Sequence, residues 1–107
     1  MSLEIGSAAP EFKLMDQHGA DISLSSFKGS KNVVITFYPF AFSGLCTGEL
    51  CGLRDDLGAF QNDDVQLIAI SCDPMYSLKA FAEQEGYKFP VLADFWPHGA
   101  AAKAYGV

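Results

Sequence analysis

From Glu11 to Asp16, Phe12 and Leu14 alternate with Lys13 and Met15, and from Asp21 to Phe27 an alternation returns through Ile22 and Leu24. The turn signal Gln17-His18-Gly19 separates the two, so the pattern predicts an amphipathic hairpin. Residues Asn32 to Tyr38 and Val65 to Ser71 are nearly continuous apolar runs rich in β-branched side chains, stopped by Pro39 and by Asp73-Pro74. Such runs predict central strands covered on both faces. Between them Cys46, Leu50, Leu53, Leu57 and Phe60 step by four, three, four and three and so share one side of a helix. Strand, helix and strand in that order predict a right-handed crossover. Leu78, Phe81 and Ala82 repeat the helical spacing over Tyr76 to Glu85, with Gly86 as the C-cap. Phe89 to Ala93 reads as a short strand and Ala100 to Tyr105 as a last helix stopped by Gly106. The order predicts an α/β domain with helices on both faces of the sheet.

The chain has 107 residues, half of them hydrophobic, which suits one domain over residues 1–107 with a single core. Thirteen acidic side chains against seven basic ones give a net charge of −6, so a nucleic-acid or anionic-membrane surface is not expected. Small molecules or protein partners fit better. The start, MSLEIGSAAPEF, has no basic region and no long apolar run, so neither a signal peptide nor a membrane span is expected and the cytoplasm is the default location. Three cysteines in a reducing compartment are not a disulfide framework, and at least one becomes a candidate for redox or nucleophilic work.

The chemistry concentrates in residues 39–51, PFAFSGLCTGELC. A strand ending at Pro39 and a helix starting near Ser43 or Gly44 put Cys46 in or just before the first helical turn. Free backbone N–H groups and the helix dipole favour an anion there. A thiol so placed has a lowered pKa, and its thiolate is the nucleophile. Gly44 allows close approach of a small substrate, Ser43 offers a hydroxyl to a bound oxygen, and Pro39 stiffens the strand exit without offering a donor. A free cysteine on the apolar side of a helix is also an ordinary core residue, and Cys46 taken alone reads that way.

The spacing Pro-x3-Ser-x2-Cys-x2-Glu, preceded by Phe-Tyr, resembles the active-site signature of the peroxiredoxins. The similarity extends over nearly the whole chain, through Ile5-Gly-Ser-Ala-Ala-Pro-Glu-Phe, Phe27-Lys-Gly-Ser-Lys-Asn-Val, Ala69-Ile-Ser-Cys-Asp73 and the run from Phe89 to Val107, which resembles AhpE-type members of actinobacteria. The resemblance implies a thioredoxin-like fold and reduction of hydrogen peroxide, organic hydroperoxides or peroxynitrite, without metal or organic cofactor. Cys46 is then the peroxidatic cysteine, which becomes a sulfenic acid. By the same resemblance Ser43 binds the peroxide in place of the commoner Thr, and Pro39 shields the thiolate. Backbone N–H groups around Leu45 and Cys46 stabilise the reacting oxygens, and Glu49 orients an arginine. The partners implied are a reducing thiol or a thioredoxin-, mycoredoxin- or glutaredoxin-like dithiol protein, and a second copy in a homodimer.

Cys51 is not usual in the AhpE-like pattern, but members of the PrxQ group place a resolving cysteine five residues after the peroxidatic one. On a helix that spacing separates the Cα atoms by ~8.7 Å and ~140°, beyond the ~7 Å limit for a disulfide. Cys51 therefore resolves Cys46 only if the first turns unwind, which Gly48 and Gly52 ease; otherwise it is a bystander. Cys72 is expected as a semi-buried thiol and His98 as a loop residue, and the Cys and His spacings match no zinc site. The family pattern continues for further strands and a helix that carry its thiolate-stabilising arginine, a position Arg54 does not match. The rival expectation is accordingly a catalytically weak interaction module.

Overall fold

The computed structural model describes residues 4–38, 41, 44–96 and 98–107, with the side chains of residues 44–49 outside the description. The hairpin forms from β1 (Lys13–Met15) and β2 (Asp21–Ser23), with Leu14 opposite Ile22. Its turn is fastened by the buried Asp16, whose Oδ1 accepts the N–H groups of His18 (2.8 Å) and Ala20 (3.0 Å). The second strand is shorter than the alternation predicts, because Leu24–Phe27 forms a 3₁₀ turn. There Ser26 Oγ makes a local bond to Ser23 O at 2.6 Å, and the Ser25 N–H donates to the Glu11 carboxylate at 3.0 Å instead of joining the ladder.

Strands β3 (Asn32–Phe37) and β4 (Val65–Ser71) are parallel, and β4 also pairs in parallel with β5 (Val91–Ala93). The described strands form one sheet in the order β2-β1-β5-β4-β3. Only β4 is a central strand of the kind expected. β3 lies at the sheet edge, and its Val34 is 37% exposed. An apolar, β-branched run reports burial somewhere along a strand but carries no information about its place in the sheet.

The predicted long helix is two helices, α1 (Gly44–Asp55) and α2 (Leu57–Phe60). The chain leaves helical geometry at Asp56 (φ −115°, ψ 33°), where Asp56 and Gly58 are both weak helix formers. Helix α3 (Met75–Glu85) ends at Gly86, which adopts the left-handed φ of 71° that a side chain disfavours. Leu50 of α1 packs with Leu78 and Phe81 of α3 against Leu67, Ala69 and Val91 on one face of the sheet. Because β3, β4 and β5 step in one direction across the sheet, crossovers of one hand must place their helices on that same face. The opposite face carries Ile68, Ile70 and Leu92 beneath Phe12, Phe27 and the last helix, α4 (Ala100–Ala104). Helices thus cover both faces, as the element order predicts.

Strand β5 begins only at Val91, since Pro90 has no N–H to give. The side chain of buried Gln17 takes over part of the ladder, donating from Nε2 to Phe89 O and accepting the Val91 N–H at Oε1, both at 2.9 Å.

Candidate active site

The ladder between β3 and β4 continues one residue beyond β3, where the Tyr38 N–H donates to Ile70 O at 3.1 Å. Three residues later the Ala41 N–H donates to Asp73 Oδ2 at 2.6 Å. The chain then enters α1 at Gly44, so Cys46 belongs to the first helical turn, as the sequence predicts. N–H groups in that turn have no partner within the helix, and the dipole there is positive. Pro39 and Ser43 lie outside the described residues, as do the side chains of Cys46 and Glu49, so the expectations on them rest on the sequence.

Two side chains that the sequence reading did not select hold this junction. Asp73 carries the bond to Ala41, and the buried Ser71 donates from Oγ to the same Asp73 oxygen at 2.8 Å. The only sequence signal is the Ser-Cys-Asp-Pro run that closes β4, read there as a strand stop.

Cys51 is half-buried on the side of α1 that faces the end of α3, and its thiol is free. Its Sγ donates to Glu85 Oε1 at 3.3 Å and lies 3.6 Å from the Tyr87 hydroxyl. Burial first, and then the bond to Cys51, push the Tyr87 hydroxyl far above the ordinary phenol range, so it stays protonated. Arg54 secures the same corner, with Nη1 donating to Glu85 O at 2.6 Å and Nε to Asp55 Oδ1 at 2.9 Å. Eight residues along a helix from Cys46, Arg54 is ~12 Å further down the axis. It braces α1 against α3 and does not serve the first turn. With α1 helical from Gly44 to Asp55, the helical separation of Cys46 and Cys51 applies, so the folded helix keeps their Cα atoms beyond disulfide range.

Cys72, expected half-buried, is exposed at the end of β4. Its sulfur nevertheless faces the chain, since a Cβ on Gly99 would come within 3.1 Å of it. Partial burial, then the carboxylates of Asp94 and Asp73, push this thiol up, which disfavours the thiolate. Asp94 is wholly buried and accepts the N–H groups of Ala101 (3.0 Å) and Ala102 (2.9 Å), capping α4. His98 is an exposed loop residue at φ 46° with its ring against Trp96. Among the described residues no three His, Cys, Asp or Glu side chains converge as metal ligands, and no helix is long and apolar enough to cross a membrane.

A family model described as AhpC/TSA matches residues 5–107. The chain is 50% identical over 105 residues to alkyl hydroperoxide reductase E of Mycobacterium tuberculosis, covering 98% of this chain and 69% of that protein. It is 39% identical over 92 residues to peroxiredoxin Bcp of Escherichia coli, covering 86% of this chain and 58% of Bcp. Among solved structures, peroxidoxin BcpB of Mycobacterium tuberculosis superposes with a TM-score of 0.87 at 34% identity, over 95% of this chain and 65% of that one. The chain thus spans roughly two thirds or less of the length of these proteins.

Proposed function

The chain belongs to the AhpC/TSA family, the peroxiredoxins, and on that premise we propose that it is a thiol-dependent peroxidase domain whose nucleophile is Cys46. Its fold is the thioredoxin-like α/β sheet of that family. The five paired strands support reading residues 1–107 as one domain. The observation that carries the functional reading is the start of α1 at Gly44, on the connection that follows β3, which supports reading Cys46 as lying among the free N–H groups of a helix N-terminus.

In the first step the Cys46 thiolate attacks the terminal oxygen of a hydroperoxide. The O–O bond breaks, Cys46 becomes a sulfenic acid, and the departing alkoxide or hydroxide takes up a proton to leave as alcohol or water. Ser43 binds the peroxide, Pro39 shields the sulfur, and N–H groups at Leu45 and Cys46 hold the reacting oxygens. Glu49 lies one helical turn beyond Cys46 and, by the family resemblance, orients an arginine. In the second step the Cys51 thiol attacks the Cys46 sulfur, a disulfide forms, and the sulfenic oxygen leaves as water. That step requires the first turns of α1 to unwind. A thioredoxin-, mycoredoxin- or glutaredoxin-like dithiol, itself oxidised to a disulfide, returns both cysteines to thiols. The free Cys51 and Cys72 suit a reducing compartment such as the cytoplasm, and a homodimer is the assembly proposed.

The rival reading, a catalytically weak interaction module, is not favoured by relatives named as a hydroperoxide reductase and a peroxiredoxin. Peroxide consumption in the presence of dithiothreitol tests the assignment. Cys46→Ser abolishes it and Cys72→Ser leaves it nearly intact. A dead Cys72→Ser variant, or an active Cys46→Ser variant, would mean that the nucleophile is elsewhere.

A further inference from the structure

We propose that Asp73 is a positioning residue for the peroxidatic step, acting through the backbone of Ala41; the proposal rests on the peroxidase reading above. The segment between β3 and α1 is tied to the end of β4 at two points, by Tyr38 N–H to Ile70 O at 3.1 Å and by Ala41 N–H to Asp73 Oδ2 at 2.6 Å. The second tie spans 32 residues of sequence and is made by a carboxylate, so it is charge-assisted and short. Asp73 is itself aimed. Ser71, 3% exposed, donates to the same oxygen at 2.8 Å, and the Asp73 N–H reaches back to Ser71 Oγ at 3.4 Å.

The anchor beneath them is firm. The N–H of the buried Asp94 donates to Ser71 O at 2.7 Å, which joins the end of β4 to the cap of α4. Ala41 is 7% exposed and belongs to the same core cluster as Leu50 of α1. A carboxylate seated on the sheet thus sets the height at which the chain turns into α1, and with it the direction of the first helical N–H groups. Attack on a peroxide needs sulfur, hydroxyl and N–H groups in one geometry, and a shift on the order of 1 Å in such a geometry costs about a hundredfold in rate. Reaction with a simple alkylating agent needs only the thiolate.

The test compares Asp73→Ala, Asp73→Asn and Ser71→Ala in a Cys51→Ser, Cys72→Ser background, which leaves Cys46 as the one thiol. Each is assayed for oxidation by hydrogen peroxide, alkylation by iodoacetamide at a pH where the thiol is ionised, and amide hydrogen exchange at Ala41. Asp73→Ala is expected to slow oxidation by roughly tenfold to a hundredfold, to leave alkylation within about twofold, and to raise exchange at Ala41 but not along β4. Asp73→Asn, which keeps a neutral acceptor, and Ser71→Ala, which loses only the aiming bond, fall in between. Oxidation of Asp73→Ala at the parent rate overturns the proposal. So does a parallel fall of oxidation and alkylation with a lower Tm, which would reduce Asp73 to fold support. A parent protein inert to peroxide would instead sink the peroxidase reading, and the tether would then stand or fall on the exchange at Ala41.

Discussion

Cys51 Sγ donates to Glu85 Oε1 across 3.3 Å, so the candidate resolving thiol is fastened to the end of α3 while α1 is folded. For a Cys46–Cys51 disulfide to form, that bond, the Tyr87 contact and the first turns of α1 must all be given up. If Cys51 resolves Cys46 as proposed, Glu85 acts as a latch on that second step and leaves the first untouched. Glu85→Ala removes the acceptor but keeps the backbone oxygen that Arg54 grips. A thiol is a weak donor, so about 0.5–1 kcal/mol is at stake, which corresponds to a two- to fivefold change in rate. The expected outcome is a sulfenic acid lifetime shortened by that factor, followed by timed trapping with dimedone. A lengthened lifetime would mean that Glu85 assists Cys51 by taking its proton.

Cys72 offers a prediction in pH. Its thiol is pushed above the ordinary range by partial burial and then by the Asp94 and Asp73 carboxylates, so less thiolate exists near neutral pH than in the unfolded chain. The sign follows from linkage. A group whose pKa is raised by folding supports the fold fully below its unfolded value and loses that support as pH rises through its folded value. In a Cys46→Ser, Cys51→Ser protein, iodoacetamide labelling of Cys72 should be slow at neutral pH and rise later than in the same protein unfolded in urea. A coincident pair of titration curves would contradict this.

Asp94 is a buried carboxylate with a structural role. Replacing it with Ala strands the N–H groups of Ala101 and Ala102 at the start of α4 and adds an unsatisfied-donor cost of about 1–3 kcal/mol. Urea unfolding of Asp94→Ala should give a lower midpoint with an unchanged slope, and Asp94→Asn a smaller loss. An unshifted midpoint would show that water replaces the carboxylate at no cost.

The parts of the fold legible in the sequence are those written in local periodicity. The seven-residue run that becomes β4, the Leu78, Phe81 and Ala82 face of α3 and the Gly86 cap all follow from side chains near in sequence. The break at Asp56 was hidden, because Leu53, Leu57 and Phe60 keep helical spacing straight through it and all pack on the same core cluster. The edge position of β3 was hidden because sheet order is a long-range property. The same limit applies at the site. The Pro, Ser and Glu spacing around Cys46 marks it as the candidate nucleophile, and the helical turn that carries it lies where the sequence predicts. Asp73 was not legible, since its partner Ala41 is remote in sequence and an Asp before a Pro reads first as a turn. Glu85 and Tyr87 around Cys51 were missed for the same reason.

The central claim is that Cys46 takes the peroxide oxygen and Cys51 then expels it. Intact mass after one equivalent of hydrogen peroxide reads both steps directly. The account predicts that the wild-type chain loses two hydrogens, that Cys51→Ser gains one oxygen atom, and that Cys46→Ser keeps its reduced mass. Oxygen uptake by the Cys46→Ser variant, or a wild-type mass unchanged by peroxide, would contradict it.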